Sequence, residues 1–304
     1  MTHTVNVVIA TYRRPDRLRD AVASLAQSAS RLPDEWAVGI TLVDDDPERS
    51  AHPVAEDFAD AFSLGCTYVF CGSKNISLAR NAGLESALPT ADWVASIDDD
   101  VVVPLHWFET YVAAIADGGH NAATGPLLKD FSQGPPWLAK EPFDRLGLLT
   151  GTDGRAAHVG ATGNNWMQSD FLRRHPSLRF SPDLGKTGGE DMDFFYRAVA
   201  LGLSPLFCHR AGVIEKEPPA RCTLRYQLRR AFWLGLSEAH IALRLGLAGR
   251  PRLVARSLRR AANRGARQLP PEALPRRRAR FTLAILAECL GLALGSLGLK
   301  LAHK

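Results

Sequence analysis

Short apolar runs alternate with stretches of helical periodicity along the first half of the chain. The apolar run 5–10 is followed by Pro15, a residue that suits the first turn of a helix. Leu18, Val22 and Leu25 then recur at a spacing that keeps one helix face apolar. These residues predict a strand followed by an amphipathic helix. The alternation is repeated, with strands expected at 38–43, 67–70 and 93–97 and helices expected at 55–62, 76–87 and 107–115.

Repeated strand–helix units predict an α/β fold with a mostly parallel sheet covered by helices. Sheets of this kind bind ligands beyond the carboxyl ends of their strands. We therefore expect the turns after Ala10, Val43, Phe70 and Ile97 to share one edge of the sheet.

The middle of the chain, residues 126–155, is rich in proline and glycine and predicts a long irregular excursion. A strand is expected near 156–167, a helix over 191–201 and a further apolar run from Leu206. Helical patterns fill the remainder of the chain.

Composition places the chain among ordinary globular proteins. Of the 304 residues, 46% are hydrophobic and 23% are charged, which excludes disordered and collagen-like classes. Arginine dominates from Arg210 onward, so we expect one domain over 1–220 and a helical, basic region over 221–304. The five cysteines form no CxxC pair and are expected to be reduced thiols. Because no leader pattern precedes the first apolar run, the expected location is the cytoplasm.

Three adjacent carboxylates, Asp98, Asp99 and Asp100, close the fourth expected strand. Their mutual repulsion favours a bound cation, and hard oxygen ligands suit Mg²⁺ or Mn²⁺. Strand alternation would place Asp98 and Asp100 on the same side. A solvated turn that caps the next helix explains the same residues equally well.

A second acidic cluster, residues 44–46, follows the strand that ends at Val43. A carboxylate at this position can accept hydrogen bonds from a base or a ribose hydroxyl. A polar Asp-Pro turn is the favoured alternative when the cluster is considered alone.

A third cluster opens the helix expected after residue 190. Gly188 and Gly189 let the backbone approach a ligand closely, and Glu190, Asp191 and Asp193 follow them. A helix N-terminus lowers a carboxylate pKa, so a general base here needs burial or an acidic neighbour, which Glu190 supplies. Capping without catalysis explains Asp193 better than it explains all three acids.

Basic and polar residues complement these acids at 11–14, after the first strand, and at 75–81, at the start of the third helix. Such side chains can hold a base and neutralise a diphosphate, although Arg80 also fits a surface helix position. The chain contains no GxxxxGK[ST], GxGxxG after the first strand, GxSxG or HExxH motif, so kinase, dehydrogenase, hydrolase and zincin functions lose their usual support.

The set and order of these segments resemble family 2 glycosyltransferases. The matching segments are 7–15, 42–45, 75–81, 97–100 and 188–191, and the resemblance covers roughly residues 5–236. More narrowly, residues 184–195 resemble the succinoglycan-type exopolysaccharide glucosyltransferases of soil bacteria.

The resemblance implies a GT-A fold and an inverting, metal-dependent hexose transfer, with UDP-glucose as the donor. Asp191 would be the general base. The nucleotide-sugar would contact Thr11, Tyr12, Arg13, Asp44, Arg80, Asp98 and Asp99. Mg²⁺ or Mn²⁺ would bind Asp98, Asp100 and Glu215, and Glu190, Trp166 and Trp137 would lie on the acceptor side.

One segment departs from the family pattern. Members often carry a histidine directly before the glutamate that corresponds to Glu215, and Ile214 replaces it here, while Arg221 remains. A catalytically weakened protein that still binds nucleotide-sugars is therefore the alternative function. A nucleotide cyclase has little support, because the residues after Asp191 continue as a helix.

Residues 281–299 are largely apolar, follow an arginine run and are interrupted by Glu288. An acid in the middle argues against a membrane span and favours a helix lying in the membrane interface. Packing on the catalytic domain or in a homodimer is the equal alternative. We expect a glycan or lipid-linked acceptor, no nucleic acid and a peripheral position at the inner face of the plasma membrane.

Overall fold

The computed structural model of the chain describes residues 2–138, 162–267 and 275–299. These residues form two compact units. The first unit comprises 2–128, 162–186 and 190–215, and the second comprises 129–138, 187–189 and the described residues from 216 onward.

Between residues 3 and 115 the strands and helices alternate as the sequence predicts, apart from the short strand Val101–Val102, and further strands follow. The strands are β1 His3–Thr11, β2 Trp36–Asp44, β3 Cys66–Phe70, β4 Trp93–Ile97, β5 Val101–Val102, β6 Ala122–Thr124, β7 Leu127–Asp130, β8 Asn164–Gln168, β9 Pro205–Phe207 and β10 Val213–Lys216. The helices are α1 Pro15–Ala29, α2 His52–Asp57, α3 Ile76–Ala87, α4 Trp107–Ile115, α5 Ser169–Arg174 and α6 Glu190–Ala200.

A seven-stranded sheet in the order β3-β2-β1-β4-β8-β6-β9 forms the centre of the first unit. Strands β1 to β4 are mutually parallel, as expected, and β6 pairs with β9 in parallel. β8 is antiparallel to both of its neighbours, β4 and β6. The expected mostly parallel sheet is confirmed, and the antiparallel strand β8, next to the central strand β4, is an addition that the periodicity did not reveal.

Both faces of the sheet are buried, which is why its central strands read as continuous apolar runs. Leu18, Val22 and Leu25 of α1 are fully buried against one face. On the other face α3 lies close to the sheet, because a side chain at Gly83 would collide with Val8. The core therefore fixes the positions of the loops that follow β1, β2, β3 and β4.

The second unit contains three long helices, α7 Leu224–Arg244, α8 Arg250–Arg267 and α9 Pro275–Ser296. α7 begins at Thr223, whose hydroxyl accepts a hydrogen bond from the Tyr226 N–H at 3.2 Å, a typical helix cap. Residues 279–296 of α9 are long and apolar enough to cross a membrane by length and composition, but half of this stretch is buried within the protein. α9 is thus in part a core helix of its unit.

Candidate functional site

The carboxyl ends of the parallel strands form one edge of the sheet. Thr11 at the end of β1 lies opposite Asp44 at the end of β2, and Asp44 lies opposite Phe70 at the end of β3. β4, which pairs with β1, ends at Ile97 just before the acidic cluster 98–100. The expected edge is therefore present, and it collects most of the candidate residues.

Asp99 is held inside this edge by the loop that follows β1. Its carboxylate accepts a hydrogen bond from the Thr11 hydroxyl at 2.7 Å and from the Arg14 guanidinium at 3.1 Å. Burial raises the pKa of Asp99, and Arg14 and Thr11 oppose that rise. Asp99 and Thr11 thus join the loops after β4 and β1, a contact that fixes the shape of the edge.

Asp98 and Asp100 have different surroundings. The Asp98 side chain is 38% exposed and its Oδ1 lies 3.4 Å from the Arg80 guanidinium. The Asp100 side chain is 7% exposed and forms ion pairs with Arg14 at 3.1 Å and Arg17 at 3.4 Å. Strand pairing stops at Ile97, so the expected alternation does not extend through the acidic cluster.

The chemistry of these oxygens suits a hard divalent cation, but they do not form a ready-made cage. Within residues 2–138, 162–267 and 275–299, no group of three or more His, Cys, Asp and Glu side chains is arranged to hold a metal ion. A cation that bridges a diphosphate needs only one or two protein carboxylates, since the phosphates and water supply its other ligands. The exposed carboxylate of Asp98 fits that lower requirement.

Glu215, on β10, lies opposite Val101 in the antiparallel pair that β10 makes with β5. This register brings Glu215 beside the residue that follows Asp100. Glu215 is buried and Ile214 is exposed, because successive residues of a strand point to opposite faces. The side chain that replaces the family histidine therefore points away from the face that carries Glu215.

Asp44 is fully buried, with an exposed fraction of 0%. Its carboxylate accepts hydrogen bonds from the Ala51 N–H at 2.7 Å, the Asp46 N–H at 3.0 Å and the Tyr68 hydroxyl at 3.2 Å. The expectation that Asp44 holds the base or ribose is contradicted by this arrangement, because its oxygens stabilise the loop after β2.

Tyr12 and Arg13 lie at the surface of the same edge. Arg13 forms ion pairs with Asp46 at 3.0 Å and with Glu48 at 2.6 Å, and its guanidinium lies 5.4 Å from the Tyr12 ring centre. The φ angle of Arg13 is +56°, an uncommon value for a residue with a side chain. The loop after β1 thus presents an exposed ring and a cation in a fixed turn.

α3 starts at Asn75, whose side-chain oxygen accepts hydrogen bonds from the N–H groups of Ser77 and Leu78. One turn into the helix, Asn81 exchanges two hydrogen bonds with the Phe180 backbone, at 2.9 and 2.8 Å. These asparagines attach the segment that precedes the glycine-rich turn to α3. The polar residues of 75–81 therefore have a structural function that the motif alone does not reveal.

Arg80 lies between the two acidic clusters. Its Nη1 donates to the Glu190 carboxylate at 2.5 Å and its Nη2 lies 3.4 Å from Asp98. Burial opposes the charge of Arg80, but Glu190, Asp98 and Asp191 outweigh that effect and raise its pKa. The surface-helix alternative for Arg80 is therefore wrong.

Asp191 follows Glu190 in the first turn of α6. Burial of its carboxyl group and the negative charge of Glu190 raise its pKa to about 7, while Arg80 opposes the rise. Its Oδ1 accepts a hydrogen bond from the N–H of Met192 at 2.7 Å. A carboxylate with this pKa can accept a proton near neutral pH, as a general base must.

A small pocket of about 20 Å³ lies between these groups, lined by Val8, Ala10, Arg80, Leu84, Ser96, Ile97, Asp98, Thr162 and Phe180. Gly163 closes in on Asp98, because a side chain there would come within 2.7 Å of the Asp98 Oδ2. Any larger residue at position 163 would force the Asp98 carboxylate to move.

Trp166 does not face an acceptor. Its ring is 0% exposed and packs against Tyr111 at 5.1 Å and Trp107 at 5.7 Å between ring centres. The expectation of sugar stacking by Trp166 is wrong, because β8 buries it in the core. Trp137 belongs to the second unit, where its ring lies 4.2 Å from the Arg280 guanidinium. Residues 139–161, which include more than half of the expected irregular excursion over 126–155, lie outside the described residues.

Sequence reasoning missed two features of the edge. Arg14 and Arg17 bind the acidic cluster although the motif points to Arg13. Arg49 lies 4.0 Å from the ring centre of Phe70, which is half-exposed at the end of β3. The contact between Arg49 and Phe70 forms only when the fold brings the loop after β2 next to the end of β3, so the sequence alone does not reveal it.

Residues 6–175 match the model of the family described as glycosyl transferase family 2. The chain belongs to glycosyl transferase family 2. The succinoglycan biosynthesis protein ExoM of Rhizobium meliloti (strain 1021) is 30% identical over 78% of this chain and 74% of its own length. The glucosyl-dolichyl phosphate glucuronosyltransferase of Haloferax volcanii is 26% identical over 77% of this chain and 76% of its own length.

Solved structures of other glycosyltransferases share the fold. The mannosyltransferase PcManGT of Pyrobaculum calidifontis, solved with GDP-Man and Mn²⁺, superposes with a TM-score of 0.59 at 18% identity over 96% of this family 2 chain and 86% of its own. TarS of S. aureus superposes with a TM-score of 0.56 at 13% identity over 79% of this chain, which spans 43% of the TarS chain. The expected GT-A fold is confirmed.

Proposed function

We propose that this family 2 glycosyltransferase moves a hexose, with inversion, from a nucleoside-diphosphate sugar to a hydroxyl group of a glycan or lipid-linked oligosaccharide. UDP-glucose is the proposed donor. Synthesis of an exopolysaccharide or another cell-surface polysaccharide is the proposed context, supported by the similarity to ExoM.

One observation carries the proposal. Arg80 contacts Glu190, the neighbour of the proposed base, and Asp98 at the donor edge. A single guanidinium thus connects Glu190, the residue beside the proposed base, with the carboxylate that would lie beside the sugar nucleotide. This arrangement serves a reaction in which an acceptor hydroxyl must approach an activated sugar.

The chemistry follows from these positions. Asp191 accepts the proton of the acceptor hydroxyl while that oxygen forms a bond to the anomeric carbon. The bond between this carbon and the diphosphate oxygen breaks, and the nucleoside diphosphate leaves with the electron pair. A single displacement inverts the anomeric centre. The raised pKa of Asp191 matches the need for a base near neutral pH.

A divalent cation, Mg²⁺ or Mn²⁺, would be held by Asp98 and Asp100 with Glu215 adjacent. When bound, it would neutralise the charge that grows on the departing diphosphate. Asp100 would have to exchange its contacts with Arg14 and Arg17 for such a role. Thr11, Tyr12, Arg13, Asp99 and Arg80 would position the donor around that charge.

A panel of nucleotide-sugars tests the donor and the reaction together. Donor binding is measured by calorimetry with and without Mn²⁺, and turnover by release of the nucleoside diphosphate in the presence of acceptor. We expect Asp191→Asn to bind the donor and lose transfer by roughly 10²–10⁴-fold. Asp117→Asn is the matched control, because Asp117 is exposed and its carboxylate accepts a hydrogen bond from the Gly119 N–H of its own turn. Full transfer by Asp191→Asn would refute the base, and undiminished turnover after chelation would refute the metal.

The second candidate is a nucleotide-sugar-binding protein with weakened catalysis. Ile214, at the family histidine position, favours it. Donor binding with release of diphosphate at the background rate, for every donor and acceptor in the panel, would support this candidate over the first.

A further inference from the structure

α9 is tightly packed within the second unit on one side. Gly235 of α7 lies against the backbone of Glu288, and Gly291 of α9 lies against the backbone of Phe232, so the two helices approach closely. The Ser257 hydroxyl of α8 donates to the Cys289 carbonyl at 2.8 Å. These contacts make α9 a member of a helical bundle.

The acid in the middle of α9 is neutralised inside this bundle. Glu288 is buried and its carboxylate accepts a hydrogen bond from Arg260 of α8 at 2.5 Å. Arg260 also binds Glu238 of α7 at 2.8 Å. A helix that left the bundle to cross a membrane would break this network and separate buried charges from their partners.

The opposite side of α9 is apolar and exposed. Leu283, Leu286 and Leu290 have exposed fractions of 46, 49 and 53%, and Leu297, just beyond the end of the helix, is 65% exposed. The spacings of three and four residues place Leu283, Leu286 and Leu290 on one helix face, which we call the leucine face. The face is about 10 Å long at the rise of an α-helix. Several exposed leucines on one helix face are typical of an interaction site.

The segment of the chain that contains the leucine face is strongly positive. Residues 216–304 contain 19 lysines and arginines against four acids, a formal charge of +15, whereas residues 1–215 contain 18 against 28, a charge of −10. α8 carries seven arginines and no acid. Arg252 and Arg259 are exposed on it, and so is Leu258, the residue before Arg259, with an exposed fraction of 67%. Apolar and cationic side chains therefore share the surface of this unit.

We infer that the leucine face and the exposed arginines of α8 dock the protein on an anionic lipid bilayer, with α9 retained in its bundle. Leucines enter the acyl boundary while arginines meet lipid phosphates, which is how an amphipathic surface binds a membrane. A dimer joined by this face is disfavoured, because it would bring together two units that each carry a formal charge of +15 and repel each other. A nucleic acid would match the arginines and leave the leucines exposed. The docking itself is argued independently of the proposed function. The inference rests on that function only in assigning the docking a role, which is access to a lipid-linked acceptor.

Vesicle co-sedimentation of the full chain tests the docking. Phosphatidylcholine vesicles with and without phosphatidylglycerol are the probes, at low and high salt. We expect binding that requires phosphatidylglycerol and is released by salt. The double variant Leu286→Gln with Leu290→Gln is expected to lower the partition coefficient on the order of tenfold or more. The double variant Leu64→Gln with Leu201→Gln, two leucines of the first unit that are 51 and 44% exposed, is the matched control.

The arginines are tested separately with Arg252→Gln combined with Arg259→Gln, which should lower binding to phosphatidylglycerol vesicles. Donor binding without vesicles reports folding and the proposed function independently, so a protein that binds donor and ignores vesicles refutes the docking alone. Unchanged vesicle binding by the leucine variant would also refute it. Vesicle binding that resists salt extraction would indicate that α9 spans the membrane. A dimer that dissociates in the Leu286→Gln, Leu290→Gln variant would indicate that the leucine face is a protein interface. Either result overturns the inference.

Discussion

Arg80 and Glu190 form an ion pair of 2.5 Å although they are 110 residues apart in the sequence. The pair connects α3 with the first turn of α6, and the second nitrogen of Arg80 extends the connection to Asp98. The consequence is that a change at Arg80 alters the surroundings of both the proposed base and the proposed donor carboxylate.

Replacement of Arg80 by lysine tests this connection. Lysine keeps the charge but lacks the planar fork, so one ammonium group cannot contact both Glu190 and Asp98 as the guanidinium does. We expect kcat/KM for transfer to fall roughly tenfold to a hundredfold, with donor affinity and kcat both lowered.

Arg173→Lys is the matched control, because Arg173 binds the carbonyl groups of Leu88 and Ala91 at the edge of the first unit. It should cost some stability and leave the kinetic constants of folded protein unchanged. Equal kinetics for the Arg80 variant and the control would contradict the role of Arg80.

The pH dependence of transfer follows from Asp191. A base must be deprotonated, and the pKa of Asp191 is raised to about 7, so kcat/KM should fall by about tenfold per pH unit below that value. Glu190→Gln removes the neighbouring negative charge that contributes to the rise. We therefore expect the fall in that variant to move to lower pH, as measured by initial rates across a pH series. A midpoint that stays in place would show that another group controls the profile.

The same carboxyl group should lower the stability of the fold at neutral and alkaline pH. A folded-state pKa above the usual 3.8 means that the folded protein binds the proton more tightly than the unfolded chain, so stability decreases as pH rises from about 4 through 7. Asp191→Asn removes the titrating group and with it this pH-dependent decrease in stability. We expect it to raise the free energy of unfolding at pH 8 by at most about 4 kcal/mol, with a gain that shrinks as pH falls toward 4. A gain independent of pH, measured by urea unfolding, would contradict the raised pKa.

Close packing of α7 on α9 depends on glycine. A Cβ added at Gly235 would overlap the backbone of Glu288, so Gly235→Ala should destabilise the protein by about 1–3 kcal/mol through overpacking. Gly249→Ala is the control, since the nearest atom to its added Cβ is 3.9 Å away. Thermal unfolding of both variants should show a lowered Tm for the first alone; equal midpoints would mean that the helices can separate without cost.

Elements with strong local signals were predictable from the sequence. The predicted bounds of α3, α4 and β4 agree with the structure to the residue. α3 has a capping asparagine at Asn75 and β4 is a short apolar run that ends in acids, so local chemistry decides where each starts and stops. The parallel direction of the first four strands was also predictable, because the helix after each strand returns the chain to the same end of the sheet.

Other features depend on contacts between distant residues. Trp166 looked available for sugar stacking, but the antiparallel placement of β8 buries it among Trp107 and Tyr111. Asp44 looked like a ligand for the donor, but the N–H of Ala51 and the hydroxyl of Tyr68 use its oxygens. Neither residue type nor spacing reveals which polar atoms the fold itself will occupy.

The position of β8 has a consequence for synthesis of the protein. β8 separates β4 from β6 in the finished sheet, although it follows both in the chain. Until residue 168 has left the ribosome, β4 presents an unpaired edge, and β6 lacks the strand that joins it to β4. An exposed strand edge in a growing chain invites pairing with other chains. Slow elongation after β6 would therefore prolong a stage that is prone to aggregation, and arrival of Asn164–Gln168 would end it.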